Sequence, residues 1–396
     1  MTDTAAAIPS PGRHFGLDWL RVSAFVLLIF YHIGMVFAPG AWMMKARHIV
    51  DAAGWPMVLI QPWRMPLLFA VSGYASHALL SKSQNIAAFA KLRTRRLLLP
   101  LLFGTLFVVS PQYWAKLSYE QGYTGGLLHF WWADWLSFDN QLGPWMPDTG
   151  HLWFIAYLWT YTMVLGLLVC CAGDRIREKL IAAAQWLGQG WRLLWVPLVP
   201  LLTLRLALLF TVPEVHGVVH DWVSDAVFLP PFLLGFALAA TPGWWPSLTR
   251  IAIPAGVVGV ISGAIVLAVE VSMPDGIVHR THLIQALQRE AALVMSWSMV
   301  LLLLDLANRW LNHDHKWRAP LCEAVFPFYI AHQTIIVLTA WAINIHHIGN
   351  GPAFAVLVVA TFGGCWLFYR IAVVSGPLRE WLGLNPKRKS AKAASS

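Results

Sequence analysis

The stretch Leu17–Phe37, LDWLRVSAFVLLIFYHIGMVF, is long and apolar enough to cross a bilayer as a helix, yet it carries Asp18, Arg21 and His32. A span needs ~20 largely apolar residues. A charge near the bilayer centre costs at least ~2.5 kcal/mol on insertion scales, so ionisable groups there face a bundle interior and mark sites. At ~100° per residue, the steps from Arg21 to His32 return to nearly the same helix face, ~16 Å further along. Asp18 precedes Arg21 by one turn and is placed to pair with it. One face of one helix thus holds an acid and an arginine at its start and an imidazole deeper in.

The rest of the chain agrees with a membrane setting. Its 396 residues are 58% hydrophobic and 12% charged, with 23 Trp and 20 Phe, against about one quarter charged in soluble domains. The formal charge of +9 does not indicate nucleic acid, because the basic residues fall in short clusters between apolar runs, where they set topology. Cys170, Cys171, Cys322 and Cys365 lie in or beside apolar runs without zinc-type or disulfide spacing, and read as small buried hydrophobes. The first apolar run is too long, and is followed by too many others, for a cleaved signal peptide.

Apolar segments run over 17–38, 54–80, 97–114, 151–171, 193–212, 223–241, 250–271, 285–310, 320–341 and 353–374. The expected fold is therefore an all-α integral membrane bundle of about ten transmembrane helices. Cytoplasmic loops carry an excess of Lys and Arg. With the N-terminus inside, only Lys45, Arg47, Lys116 and Arg280 of the 28 basic residues face outward, and Arg21, Arg64, Arg205, Arg289 and Arg370 lie in spans. Both termini are thus expected in the cytoplasm, with a leader over 1–16, a membrane domain over 17–375 and a basic tail over 376–396. The long outer loop 115–150 contains YTGGLLHFWWADWLSF. Its aromatics beside carboxylates suit either a sugar face or an interfacial aromatic belt.

Several side chains can carry chemistry. A histidine such as His32 can act as a general base near neutral pH; its structural alternative is a hydrogen bond to a neighbouring helix. Arg64, in PWRMPLLFAVSGYASHALL, cannot deprotonate and needs a carboxylate, phosphate or carbonyl partner. Ser72 and Gly73 in the same segment read as helix-packing residues. Arg93 and Arg96, one turn apart, either signal topology or bind the phosphates of a donor. His151 opens GHLWFIAYLW, with Trp153 beside it, and Tyr329 and His332 lie in FPFYIAHQTII. Intramembrane histidines of this kind are site candidates. No metal site is expected, since His346, His347 and the 313–315 HDH run lack further ligands. Glu270, Arg289 and Glu290 near span ends are explained by snorkelling.

The Arg21 and His32 spacing, RMPLLFAVSG over 64–73, the Arg93 and Arg96 pair followed by Pro100, HLWF over 151–154 and FPFYIAHQT over 326–334 resemble, in order, the acyltransferase family 3 membrane proteins. Within that family, LDWLR, RMPLLF, HLWF and FYIAHQ are most similar to the branch implicated in succinylating periplasmic glucans. The resemblance implies a multi-pass enzyme of the bacterial inner membrane that takes an acyl group from cytoplasmic acyl-CoA, succinyl or acetyl, as co-substrate. The acceptor it implies is an extracytoplasmic glycan. It also implies His32 as catalytic base, Arg21 as its motif partner with Asp18, and Arg93 and Arg96, with Arg64, as donor contacts. Ser72, His151, Trp153, Tyr329 and His332 are implied as substrate-binding or structural candidates. A rival reading is a transporter or flippase that uses the same intramembrane charges as a relay. No dimer motif stands out.

Overall fold

The computed structural model describes residues 13–83, 85–139, 141–143, 145–208, 222–273 and 281–385. The expected leader and basic tail fall largely on 1–12 and 386–396, outside the described residues. Every regular element among the described residues is helical. They are α1 Phe15–Phe37, α2 Gly54–Leu80, α3 Ile86–Glu120, α4 Gly150–Cys171, α5 Asp174–Leu187, α6 Leu198–Leu208, α7 Trp222–Ala240, α8 Trp244–Ser272, α9 His282–Trp310, α10 Arg318–Ile345 and α11 Asn350–Val374.

Eight of these, α1, α3, α4, α7, α8, α9, α10 and α11, are long and apolar enough to cross a membrane. The protein is a multi-pass membrane protein. A ninth span is added if Glu178–Leu187 and Arg192–Leu208, which meet at 103°, form one broken crossing. The segment expected to span over 193–212 thus forms the second arm of that pair, with the bend before it, and 209–212 lie outside the described residues. α2 forms over 54–80 as expected, but Gln61, Pro62, Arg64 and Pro66 dilute its apolar run, and it is not among the eight. Cys170 and Cys171 are exposed rather than buried, because they sit on the outer face at the end of α4; Cys365 is buried.

The chain divides into two compact units. The first comprises Met1–Pro39, Val50–Lys91 and Tyr157–Arg318. Its helices pack through small residues, which let backbones approach closely in membranes. A Cβ on Gly73 of α2 would stand 1.9 Å from the Phe232 carbonyl oxygen of α7, and one on Gly235 of α7 would stand 1.8 Å from the Ala70 carbonyl oxygen. Gly256, Gly259 and Gly263 of α8 likewise seat Leu302, Met299 and Met295 of α9. Indole N–H groups tie the bent element in: Trp244 donates to Ala184 O at 2.9 Å, and Trp297 to Leu193 O at 3.1 Å. α1 begins beside the end of α9, where a Cβ on Gly16 would meet Ala307 O at 2.1 Å. His14 caps α1 by accepting the Leu17 N–H, and its other ring nitrogen lies 3.0 Å from Asn308 Oδ1. Its ring stacks on Trp245 at 4.6 Å. Burial there pulls the imidazole below its usual range.

The second unit comprises Gly40–Ile49, Leu92–Ala156 and Ala319–Ser396. α3 widens into a π-helical stretch at Gly104–Val109. Such turns break the regular i to i−4 ladder and leave carbonyls needing other donors. Here Trp135 Nε1 reaches Thr105 O at 3.1 Å, Trp131 Nε1 reaches Leu106 O at 2.7 Å, and the Thr334 hydroxyl reaches Val108 O at 2.6 Å. The Trp-rich segment over 115–150 therefore has a structural duty: two of its indoles satisfy the π turn, while Trp132 and Trp145 stay exposed.

Candidate functional site

In the first unit, Asp18 is the hub at the start of α1. The expected Asp18–Arg21 pair is its weakest contact, with Arg21 Nη2 at 3.8 Å from Oδ1. Arg318 Nη1 lies 2.7 Å from Oδ2, and Arg13 Nη2 at 3.0 Å. Arg318 is the first residue of α10, with a side chain only 6% exposed. Its guanidinium stacks over Phe15 at 4.6 Å and donates through Nε to Asp314 Oδ1 at 2.6 Å. That hydrogen bond holds the Asp314 carboxyl below the usual carboxylate range. A planar fork can serve two carboxylates at once in this way, whereas an ammonium cannot match it. The Arg21 Nε is shielded from solvent without a hydrogen-bond partner among the described residues.

Further along α1, His32 is half-buried and makes an edge contact with the Tyr31 ring, centroids 5.6 Å apart. Tyr31 is buried, and the Arg64 guanidinium of α2 lies over its ring at 3.6 Å. This stacking is a cation–π contact. Ser72, half-buried on α2, offers its carbonyl to the Ser76 hydroxyl at 2.7 Å. Gly73 beside it packs against α7, as expected. Glu290 departs from expectation: both carboxylate oxygens are shielded from solvent, with no hydrogen-bond partner among the described residues. A carboxylate shielded in this way is not snorkelling.

In the second unit, Arg93 and Arg96 lie inside α3, which begins at Ile86, earlier than the expected 97. Arg93 is buried and Arg96 exposed. His151, Tyr329 and His332 come together with three polar residues that the sequence reading passed over, Gln112, Gln333 and Thr334. Gln333 Nε2 donates to Gln112 Oε1 at 3.1 Å, which orients the Gln112 amide so that its Nε2 donates to Thr334 Oγ1 at 2.7 Å and faces His151 Nδ1 at 3.4 Å. His151 Nε2 lies 3.2 Å from Tyr329 O and 3.1 Å from Ile330 O. Two carbonyls at Nε2 and an amide donor at Nδ1 assign the proton to Nε2. His332 Nδ1 lies 2.8 Å from Tyr329 O, and its ring meets that of His151 edge-on, centroids 5.1 Å apart. Trp153 is half-buried in the first turn of α4 proper. A polar residue such as Gln112 inside an apolar run was the available signal for this network.

Asp18, Arg21, His32, Arg64 and Ser72 fall in the first unit; Arg93, Arg96, His151, Trp153, Tyr329 and His332 fall in the second. Chemically, the first set supplies an imidazole and a lightly engaged guanidinium on one helix. The second supplies a satisfied polar core and a pair of arginines that differ in exposure.

Comparison with known proteins places the arrangement in a family. The family model described as an acyltransferase domain matches residues 14–370, a range that includes every candidate named above. Relatives named glucans biosynthesis protein C, from Salmonella schwarzengrund strain CVM19633 and from Salmonella typhi, are each 23% identical over 400 residues, covering 98% of this chain and 99% of the relative. The protein of the same name from Salmonella typhimurium strain LT2 is 23% identical over 399 residues. No solved structure matches the chain. With its membrane helices and the motif residues of α1, α2, α3, α4 and α10 all inside the matched range, the chain belongs to acyltransferase family 3 and is an acyltransferase.

Proposed function

We propose that the protein moves an acyl group, succinyl or acetyl, from cytoplasmic acyl-CoA to a hydroxyl of an extracytoplasmic glycan, and that it does so in a bacterial inner membrane. Relatives named for glucan biosynthesis favour a periplasmic glucan as acceptor. The observation that carries the reading is the family match over residues 14–370, joined to the presence of His32 and Arg21 on one helix of the first unit. The proposed topology has ten crossings and both ends in the cytoplasm, with the single membrane domain running from 17 to 375.

In the proposed step, the acceptor oxygen attacks the thioester carbonyl as His32 takes the hydroxyl proton. The new ester C–O bond forms, the C–S bond breaks, and the CoA sulfur leaves as thiolate and is protonated. Arg21, with Asp18 beside it, is assigned to positioning the donor. Arg96, the exposed member of the arginine pair on α3, is the proposed contact for the anionic donor.

The test is transfer from labelled succinyl-CoA and acetyl-CoA by the reconstituted protein, wild type beside His32→Ala, with extracted envelope glycans as acceptor. Labelled glycan that disappears in the variant supports the reading and names the acyl group. Movement of glycan across the vesicle membrane without acyl-CoA consumption would overturn it in favour of transport.

A further inference from the structure

The segment Gly40–Ile49 is fixed within the second unit. Met44 is fully buried, Asn344 Nδ2 of α10 donates to Lys45 O at 2.8 Å, and Asn350 Nδ2 of α11 donates to His48 O at 2.8 Å. Asn344 is itself buried, so its amide serves to hold this backbone. The pinning sets Lys45, Arg47 and His48 against the turn that joins α10 to α11, which carries His346 and His347. The Arg47 guanidinium reaches the His347 ring, Nη1 at Nδ1 and Nη2 3.5 Å from Nε2. Arg47, His48, His346 and His347 are all exposed.

Residues that are cationic, or can become so, thus share one small surface, and neither Gly40–Ile49 nor 341–353 contains an Asp or Glu. The next acid along the chain, Asp51, belongs to the first unit. On the topology proposed above this surface faces outward, the side on which membrane proteins carry few Lys and Arg. Lys45 and Arg47 are two of only four basic residues read as lying there. Cations gathered in this way repel one another, and the half-buried Lys45 ammonium is partly desolvated. A bound carboxylate offsets both costs. A guanidinium has five N–H donors, so Arg47 can serve His347 and still offer others to an anion.

The acyl group proposed for transfer supplies such an anion. A succinyl half-ester on a glycan hydroxyl keeps a free carboxylate that is ionised near neutral pH, whereas an acetyl ester has none. We propose that Lys45, Arg47 and the turn carrying His346 and His347 form an outer-face site for the carboxylate of a succinylated glycan, which retains the modified glycan at the protein. This rests on the acyl-transfer reading and its topology given above.

The experiment measures binding of a labelled oligoglucan, succinylated or acetylated to the same degree, by the full chain in phosphatidylcholine nanodiscs, which leave both faces accessible. The wild type should bind the succinylated form at least about tenfold more tightly, because several carboxylates per glucan engage the site in turn. About 1 M salt should remove most of that preference, since exposed charges are screened. Lys45→Gln/Arg47→Gln should bring the two forms within about twofold of each other, while Arg47→Lys, which keeps the charge without the planar fork, should retain part of the preference. If the double variant does not fold, Arg47→Gln alone, at an exposed position, decides and should weaken binding of the succinylated form about threefold. Equal binding of the two forms by the wild type, or an undiminished preference in the folded variants, overturns the inference. A variant that loses bound phosphatidylglycerol and keeps its glucan preference identifies a lipid headgroup as the occupant and overturns it too. The readout needs no turnover. A wild type that prefers the succinylated glucan yet transfers nothing supports the site and overturns the acyl-transfer reading, whereas a transferring wild type without the preference overturns the site alone.

Discussion

Tyr329 and His151 are bound to each other twice: the Tyr329 hydroxyl donates to the His151 carbonyl at 2.5 Å, and His151 Nε2 lies 3.2 Å from the Tyr329 carbonyl. The second contact is shared with Ile330 O, and Gln112 closes the other side of the ring. Every polar atom of the imidazole is thereby engaged inside the second unit, which leaves it poorly placed to shuttle protons. His151→Ala should therefore act first on stability, costing about 1–3 kcal/mol because the groups it serves lose their partner. Tyr329→Phe should cost about 1 kcal/mol. Detergent-solubilised unfolding midpoints check this. Unchanged midpoints with abolished turnover would instead make His151 a participant in the reaction.

The contact of Arg64 with Tyr31 predicts a different pattern. The guanidinium at 3.6 Å from the ring centroid is held by the π face rather than by the hydroxyl, so Tyr31→Phe should be nearly neutral. Tyr31→Leu should lose about 1–2 kcal/mol, the range of a desolvated cation–π contact. Because the same ring borders His32, Tyr31→Leu should also lower kcat while Tyr31→Phe should not. Equal effects of the two substitutions on both readouts would mean that the hydroxyl, not the ring, does the work.

Gly73 tests the packing of the first unit. A Cβ there meets backbone, the Phe232 carbonyl, at 1.9 Å, and backbone cannot move aside as a flexible side chain can. Gly73→Ala should destabilise by about 3 kcal/mol or more, at or beyond the usual cost of overpacking. Gly363→Ala, with nothing within 4 Å of the added carbon, is the control and should leave the midpoint within about 1 °C. If both variants melt alike, α2 and α7 do not approach as closely as described.

What the sequence disclosed, and what it could not, follows from the range of the forces involved. α1, α2 and α8 to α11 were legible because a run of apolar residues is a local property. The functional weight of α1 was legible too, since Asp18, Arg21 and His32 are out of place in such a run. The partner of Asp18 was not, because spacing along one helix favours Arg21, while Arg318 lies 300 positions away and reads locally as a loop cation. Likewise Gln112, Gln333 and Thr334 each look tolerable alone, and only the fold makes them one network with His151. The bend of 103° after Leu187 was hidden because hydropathy measures composition and not direction. Glu290 was misjudged for the related reason that distance from a helix end does not tell which way a side chain turns.

Lys45 offers a check by pH. It lies in the Gly40–Ile49 segment of the second unit, outside the spans, where Asn344 Nδ2 pins its carbonyl at 2.8 Å. Burial pulls its ammonium from 10.5 down to about 8. Between those two values the folded amine is neutral while the unfolded one is charged, so the unfolded chain binds more protons and stability from this group rises with pH across the window. Below about pH 8 the penalty of holding the buried charge is present in full. Acetic anhydride labelling of Lys45 should reach half its maximal rate near pH 8. A half-maximal rate well above pH 8 would show that Lys45 is solvated.

The arginine pair of α3 should divide its labour. Arg93 is buried and Arg96, one turn on, is exposed, so only the latter can meet a soluble anion without rearrangement of the helix. Arg96→Ala should raise the KM for acyl-CoA about tenfold, the loss of one charge-assisted hydrogen bond, while unfolding is unchanged. The effect should shrink at high salt, because an exposed cation and a phosphate are screened. Arg93→Ala should lower the unfolding midpoint, since removing a buried guanidinium leaves both a void and stranded partners. Arg93→Lys would keep the charge but not the planar fork, and should restore only part of that loss. A donor KM that rises in Arg93→Ala and stays at wild type in Arg96→Ala would reverse the assignment and place the donor phosphates on the buried side of the helix.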